Sequence, residues 1–314
     1  MLQYLLRRAG QALVVLVGAA ILVFALIHLV PGDPVRVALG TRFDPEAYEA
    51  LRRASGLDLP LHEQLVRYLS RAAVGDLGVS FRSSQSVFEL LMERLPATIS
   101  LGGAALVVGL LIAFPLGILS AIRRGSAIDH VARIGSQVGI SVPDFWLAIL
   151  FILLFAGALR ILPPSGYVPL SEDPLEWLRH VIMPALTVGL ISGSIMTRFI
   201  RSSTLEANDQ DFARTARAKG LHESTVLRDH VLRNAMVPII TVAGIQLASL
   251  LAGVIVVEVV FAWPGLGRLT YDAVLARDYP VIQGAVLLVA AIFLFANLIV
   301  DALYAIIDPR IRVR

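Results

Sequence analysis

The sequence predicts an all-α polytopic membrane protein with six transmembrane helices and a small helical cap outside the membrane. Three observations support this fold class. Hydrophobic residues make up 57% of the 314-residue chain and charged residues 16%, against about 25% charged residues in soluble domains. Six segments are apolar over roughly the 20 residues that a helix needs to cross a bilayer. Basic residues are concentrated in alternate connecting segments, as the positive-inside rule describes.

The order of the spans predicts that both termini are cytoplasmic. The predicted spans are 10–30, 97–122, 134–159, 181–197, 237–257 and 282–300. In that orientation the inside segments hold 15 Lys and Arg in 66 residues, and these segments are 1–9, 123–133, 198–236 and 308–314. The outside segments hold 12 in 106 residues, and these are 31–96, 160–180 and 263–281. The basic density is therefore about twofold higher inside.

The first apolar run has a second interpretation, because Arg7 and Arg8 precede it as in a cleaved signal peptide. Signal cores are about 7–15 residues long and end at a small-residue cleavage site. This run is longer and ends in a turn-forming sequence around Pro31. We therefore expect residues 1–30 to be the N-terminal cytoplasmic end and an uncleaved first span.

The segment 31–95 is predicted to form an external subdomain. Asp44 is a good N-cap before Pro45, and the helix that they start should end near Gly56. A second helix is expected over 60–74, before Gly75. A solvated loop is the alternative, but two well-formed helix signals favour an ordered cap.

A charged, helix-breaking segment separates the fourth and fifth spans and contains the only lysine of the chain, Lys219. Asp209 or Asp211 can N-cap a helix that ends at Gly220, and a second helix is expected over 223–234. The first helix should carry Phe212, Ala213 and Ala216 on one face and Arg214 and Arg217 on the other. A surface hairpin that only connects two spans remains the alternative.

This segment and eight others resemble sequence motifs of one family, the dipeptide and oligopeptide permeases of ABC importers. The central match runs from Arg214 to Leu221, RTARAKGL, and is similar to the family's "EAA" loop. The other matches stand in family order along essentially the whole chain. They are LVPGDP (29–34), GDLGVS (75–80), RLPAT (94–98), SVPDFW (141–146), LPPSG (162–166), WPGLGR (263–268), RDYP (277–280) and DPRIR (308–312).

The resemblance implies a type I ABC importer permease fold, with residues 96–314 as the permease core and 201–236 as its cytoplasmic coupling segment. It further implies a second homologous permease, two ATPase subunits and an extracytoplasmic peptide-binding protein as partners. The residues implied to couple to the ATPase are Asp211, Phe212, Arg214, Thr215, Ala216, Arg217, Lys219, Gly220 and Leu221. Arg214 departs from the broad family motif, which has Glu there, so the contacts of that Glu are not carried over.

The chain is not expected to be an enzyme or to bind a cofactor itself. A P-loop needs the pattern G-x-x-x-x-G-K-[ST] to hold phosphates, and Lys219 lies between Ala218 and Gly220. ATP and Mg²⁺ are therefore expected on the partner ATPase subunits. The chain has no cysteine, which excludes disulfides and thiolate metal sites.

Ionisable residues within or near the spans are candidates for a transport pathway. His28, Glu258 and Asp301 lie near span ends, where an interfacial position is the alternative. Asp144 follows Pro143 inside the third span and is predicted to lie at a kink. It either lines a water-filled path or bonds a neighbouring helix. Trp263, with Glu258, is a candidate for the outer mouth or gate, and an anchor in the aromatic belt is the alternative.

Three questions stay open from the sequence. The pairs Gly135/Gly139 and Gly189/Gly193 have GxxxG spacing, which fits packing either within the chain or against a second permease. A secondary transporter or channel without an ATPase is the rival class. Within the resembled family, nickel, glutathione or haem is the alternative substrate to peptide.

Overall fold

The computed structural model describes residues 2–29, 32–33, 35–36, 44–252 and 254–307. Five of the described helices are long and apolar enough to cross a membrane, and a bent helix pair supplies a sixth crossing if it forms one span. The predicted helical membrane fold is confirmed. The helices are α1 Leu2–Leu29, α2 Pro45–Ser55, α3 Leu61–Ala73, α4 Val87–Ile122, α5 Ala127–Ser141, α6 Asp144–Phe151 with a π-helical continuation Ile152–Ala158, α7 Pro174–Asn208, α8 Asp211–Ala218, α9 Glu223–Leu251, α10 Ile255–Val260, α11 Leu266–Ala276 and α12 Tyr279–Ile307.

The helices α4 and α7 form the centre of the molecule and meet at backbone distance. A Cβ atom added to Gly193 would lie 3.0 Å from the carbonyl oxygen of Gly109, and one added to Gly189 would lie 2.9 Å from that of Ala105. Only glycine allows this approach. The Gly189/Gly193 pair therefore packs within the chain. In the other pair, Gly139 packs against Ser194 of α7, whereas no atom lies within 4 Å of the Cβ position of Gly135.

The prediction that the third span, 134–159, is a single kinked helix is wrong. The chain bends by 99° between α5 and α6. Val142 is extended, with φ −76° and ψ 125°, because a residue before proline is pushed out of the helical region. Pro143 is extended as well, and a new helix starts at Asp144. The proline thus ends one helix and precedes another.

The fourth and fifth spans differ from their predicted bounds. The fourth helix, α7, extends from Pro174 to Asn208 because Asp173 caps its first turn, accepting from the backbone N–H groups of Leu175 and Glu176. Hydropathy alone located only its apolar middle, 181–197. The fifth helix, α9, ends at Leu251 rather than 257, and the short helix α10 follows it.

The two helices predicted between the first and second spans are present. The Asp44 side chain accepts from the Glu46 N–H, and Gly56 ends α2 with φ 72°. The helix α3 packs against the end of α1, where the His28 ring contacts Gln64 at 3.0 Å and Tyr68 stacks on Phe24. The helix α1 also packs along α12. In the described part of this region, 44–86, the chain therefore forms packed helices rather than a solvated loop.

Candidate functional site

The helix α8 follows α7 after a tight turn at Asp209 and Gln210. Gln210 is the N-cap and makes no side-chain capping bond, so the predicted caps Asp209 and Asp211 are both wrong. Asp211 is instead the first helical residue, where a carboxylate complements the positive end of the helix dipole. Its backbone carbonyl accepts from the Thr215 hydroxyl at 2.8 Å.

The end of α8 confirms the predicted break at Gly220. The Gly220 N–H donates to the Arg217 carbonyl and the Leu221 N–H to the Ala216 carbonyl, at 2.9 and 3.3 Å. These two bonds form a Schellman motif. Gly220 has φ 78°, which side chains other than glycine rarely adopt. Lys219 therefore ends the helix, and the chain reverses direction towards α9.

One face of α8 is fixed in an apolar cluster. Ala213 is fully buried and Ala216 nearly so, packed with Ile200 of α7 and Val226 and Val231 of α9. Their short side chains let α8 lie close to both long helices. Phe212 was predicted on this face, but its side chain is 36% exposed.

The opposite face of α8 is open and carries both apolar and charged groups. Phe212 and Leu221 are exposed, and the Arg214 side chain is 71% exposed, with a 3.5 Å ion pair to the exposed Asp211. Exposed residues on this face and its end are Asp211, Phe212, Arg214, Thr215, Lys219 and Leu221. A mixed apolar and basic surface of this kind is typical of a protein contact site.

Arg217 does not belong to the open face, contrary to the prediction. Its guanidinium donates two bonds to the Glu223 carboxylate, at 2.7 and 3.0 Å, and one to the Asn208 side chain at 2.6 Å. Asn208 ends α7 and Glu223 starts α9. Arg217 therefore joins three helices, a bidentate role that the planar guanidinium suits. We call this contact the Arg217 clasp.

The second helix of the coupling segment is not a separate short helix over 223–234. It is continuous with the fifth span from Glu223 to Leu251 and contains a π-helical turn at Val226–Leu232. Pro238 lies inside it rather than at the start of a new span. The helix α8 is therefore held between α7 and α9.

A second polar contact, between α5 and α7, was missed by the sequence analysis. The Arg201 guanidinium donates to both oxygens of Asp129, at 2.7 and 2.9 Å, and Asp129 is only 1% exposed. The Gly125 N–H donates to the same carboxylate at 2.9 Å. These residues are 72 positions apart, so no local pattern indicated the pair. It ties the start of α5 to the part of α7 next to the coupling segment.

Glu258, predicted for the pathway or gate, is fully buried. Its carboxylate accepts from the Thr98 hydroxyl at 3.0 Å and the Arg268 N–H at 2.9 Å. The second bond lies in the first turn of α11, so Glu258 caps that helix from a distance. Gly265 packs directly against the carboxylate and Gly267 close beside it. Glu258 is therefore buried among these groups and does not face the lipid.

Trp263 is also fully buried and is not an anchor at the lipid interface. Its indole N–H donates to the Ala97 carbonyl at 2.8 Å, and its ring contacts Tyr167 edge-on at 4.7 Å between centroids. Trp263 and Glu258 thus hold the turn between α10 and α11 against the start of α4. Asp144 is half-buried at the first position of α6. The side chain of Asp301 lies outside the described residues.

Comparisons with known proteins agree along the chain. Residues 113–313 match the family model "Binding-protein-dependent transport system inner membrane component", and residues 1–102 match its N-terminal companion. The dipeptide transport system permease protein DppB of Escherichia coli K12 is 41% identical over 99% of both chains. A putative peptide transport system permease of Brucella abortus is 44% identical over 98% of both chains.

A structural comparison adds independent support for the fold. A chain of the MetNI methionine ABC transporter, in an inward-facing conformation, superposes with a TM-score of 0.56 at 18% identity, covering 70% of this chain and 96% of that one. At that identity the match concerns the fold alone. Since the family models cover nearly the whole sequence, this chain belongs to the binding-protein-dependent transport system inner membrane component family.

Proposed function

We propose that this protein is one of two membrane subunits of an ATP-driven importer of dipeptides or oligopeptides in a bacterial cytoplasmic membrane. The observation that carries the proposal is a sequence identity of 39–44%, over 98–99% of this chain, with relatives named as dipeptide, di/tripeptide and peptide permeases. Its partners in this proposal are a homologous permease, two ATPase subunits that bind ATP and Mg²⁺, and an extracytoplasmic peptide-binding protein. Both termini lie in the cytoplasm, as the distribution of basic residues favours.

In this mechanism the open face of α8 docks on an ATPase subunit. Phe212 and Leu221 supply apolar contact area, while Arg214 and Lys219 supply charge. The apolar cluster around Ala213 and Ala216 and the Arg217 clasp support this assignment, because they fix α8 to α7 and α9. Closure of the ATPases on ATP therefore moves two long helices together. ATP must favour one state of the complex by roughly 5 kcal/mol to reverse its populations.

The candidate pathway residues have different places in this proposal. Asp144, half-buried beside the 99° bend, remains the candidate for the pathway itself. Glu258 and Trp263 support the turn before α11, so we assign them to holding the gate rather than to contacting peptide. Their contacts with Thr98 and Ala97 fasten that turn to the start of α4.

The decisive experiment is transport by the purified complex in proteoliposomes. We expect labelled dipeptide to accumulate only when ATP, both ATPases and the binding protein are present. Accumulation by a complex stripped of its ATPases would favour the secondary transporter. Transport of nickel, glutathione or haem with no competition by peptide would retain the ABC mechanism and reject the proposed substrate.

A further inference from the structure

A cavity of about 370 Å³ lies where the end of α1 meets α3 and the start of α12. We call it the α1–α3 cavity. Its size is in the range of small-molecule sites, and it lies away from the coupling segment. The apolar helix windows of α1 and α12 run over 10–29 and 279–300, so the cavity lies at the level where these spans leave the hydrocarbon. Phe24 and Ile27 line its apolar side, one helical turn from His28.

Two polar groups of the cavity lack partners. The hydroxyls of Tyr68 and Tyr279 are buried, and neither has a hydrogen-bond partner among the described residues. Both tyrosines line the cavity. Burial raises the pKa of Tyr68, so its hydroxyl stays protonated and can donate. Because buried polar groups are usually hydrogen-bonded, these two hydroxyls are donors that an occupant with oxygen acceptors would satisfy.

The remaining polar groups give the cavity positive charge. Arg67 lines it and makes no ion pair with any described residue. Arg71 is paired with Asp76 at 2.7 Å and holds the pKa of that carboxyl below its usual value, so those two charges cancel. The excess positive charge of the cavity therefore comes from Arg67.

His28 also lines the cavity, and the contacts of its ring fix its position. Its Nδ1 lies 2.8 Å from the Phe24 carbonyl oxygen and its Nε2 lies 3.0 Å from Gln64 Oε1. Gln64 is oriented by its own amide, which donates to the Leu59 carbonyl at 2.8 Å. The His28 ring is thus held between Phe24 and Gln64 at the edge of the cavity.

We propose that the α1–α3 cavity binds the phosphodiester head of an anionic phospholipid, with an acyl chain along Phe24 and Ile27. The cavity combines unpaired positive charge, free hydroxyl donors and an apolar wall. A phosphodiester that carries an apolar chain complements all three. The cavity also lies at the ends of two spans, which is the level of the lipid phosphates in a bilayer. A carboxylate with an apolar chain, as in a fatty acid or a hydrophobic peptide, shares this chemistry and is distinguished by the test below.

The test uses the complete transporter complex in nanodiscs that contain a photoreactive phosphatidylglycerol. We expect crosslinks at residues 24–28, 67–68 and 279–283. Excess phosphatidylglycerol should remove them, whereas excess phosphatidylcholine, oleate or dipeptide should not. Displacement by oleate or dipeptide, or the absence of crosslinks in these segments, would overturn the proposal. The readout is lipid binding, so it does not depend on which substrate the protein transports.

Matched variants make the test specific to the cavity. Arg67→Gln should reduce crosslinking about tenfold, the usual effect of removing a charge-assisted hydrogen bond. Arg53→Gln is its control, because Arg53 is an exposed arginine of the neighbouring α2 and does not line the cavity. Tyr68→Phe and Tyr279→Phe should each reduce crosslinking severalfold, whereas Tyr271→Phe, at an exposed position, should not. Equal crosslinking in Arg67→Gln and Arg53→Gln would refute the assigned headgroup contact.

Discussion

At the scale of single residues, Glu258 organises the turn between α10 and α11. Its carboxylate accepts from Thr98 and from the first turn of α11, while the Thr98 hydroxyl accepts from the Leu266 N–H at 2.8 Å. Gly265 lies so close to the carboxylate that a Cβ atom there would collide with it. Gly265 is thus explained by space for one buried acid, and Gly267 by the same acid together with Ile255, whose Cα would lie 2.9 Å from an added Cβ.

Gly265→Ala should therefore lower the thermal stability of the purified complex by several degrees, the effect of an overpacking cost of about 1–3 kcal/mol. The same substitution should cost less in a Glu258→Ala background, because the colliding carboxylate is gone. Thermal unfolding followed by tryptophan fluorescence measures both. Gly103→Ala is the control, since no atom lies within 4 Å of its Cβ position. Additive effects of the two substitutions would contradict this account.

At the scale of elements, α8 is a short helix whose position depends on its ends. Its Schellman turn needs the positive φ of Gly220, and the Arg217 clasp holds its last turn to α7 and α9. The helix itself has eight residues, too few to be stable alone. Its geometry is therefore set by tertiary contacts, and each contact can be tested separately.

Gly220→Val should leave membrane insertion intact and abolish peptide-stimulated ATPase activity. A β-branched residue strains the left-handed conformation by about 1–2 kcal/mol and distorts the docking turn. Gly75→Val is a matched control, because Gly75 has nearly the same φ of 82° and, like Gly220, has no atom within 4 Å of its Cβ position. Normal stimulated activity in Gly220→Val would exclude the coupling role given to this turn.

Arg217→Gln and Arg214→Gln should change different properties of the complex, although the two residues are only three positions apart. Arg217→Gln breaks the clasp, so hydrogen exchange should accelerate over 208–225 in the membrane subunit. Arg214→Gln removes only an exposed group, so exchange should stay unchanged while ATPase subunits dissociate more readily. Exchange mass spectrometry and subunit retention on a gel-filtration column separate the two outcomes. Identical exchange in both variants would show that the clasp does not hold α8.

At the scale of the whole molecule, the helical fold and the orientation of the chain across the membrane rest on different kinds of evidence. The helical membrane fold rests on apolar segments, family models and structural similarity. The proposed cytoplasmic position of the termini and of the segments 123–133 and 198–236 rests on the distribution of basic residues. Because the chain has no cysteine, any single cysteine introduced is a unique reporter of sidedness.

Arg124→Cys, between α4 and α5, should react with a membrane-impermeant maleimide only from the cytoplasmic side, and Leu170→Cys only from outside. Both positions are exposed within the chain, so burial does not hide them. Labelling of intact cells and of inverted vesicles, each with transport as a check of function, measures the two sides. Labelling of both positions from one side would reject the proposed topology.

The sequence predicted local features, which depend only on residues close to one another along the chain. The cap at Asp44, the left-handed end at Gly56 and the break at Gly220 are local, and all three are present. It did not predict contacts between distant residues, such as Asp129 with Arg201 or Ser80 with Asp278, which are 72 and 198 positions apart. Those pairs depend on how the helices assemble. The bend after Ser141 was underestimated because proline alone does not indicate whether a helix kinks or ends.

The glycine crossing of α4 and α7 has a mechanical consequence. Gly189 and Gly193 lie on either side of the midpoint of α7, with 15 residues from Gly193 to Asn208 and 15 from Pro174 to Gly189. At a rise of 1.5 Å per residue, each arm is about 22 Å long. Because the two backbones are in contact at the crossing, we expect α7 to tilt about this point rather than move away from α4. A displacement at Asn208 would then move the Pro174 end in the opposite direction, less any bending at Pro184 within that arm.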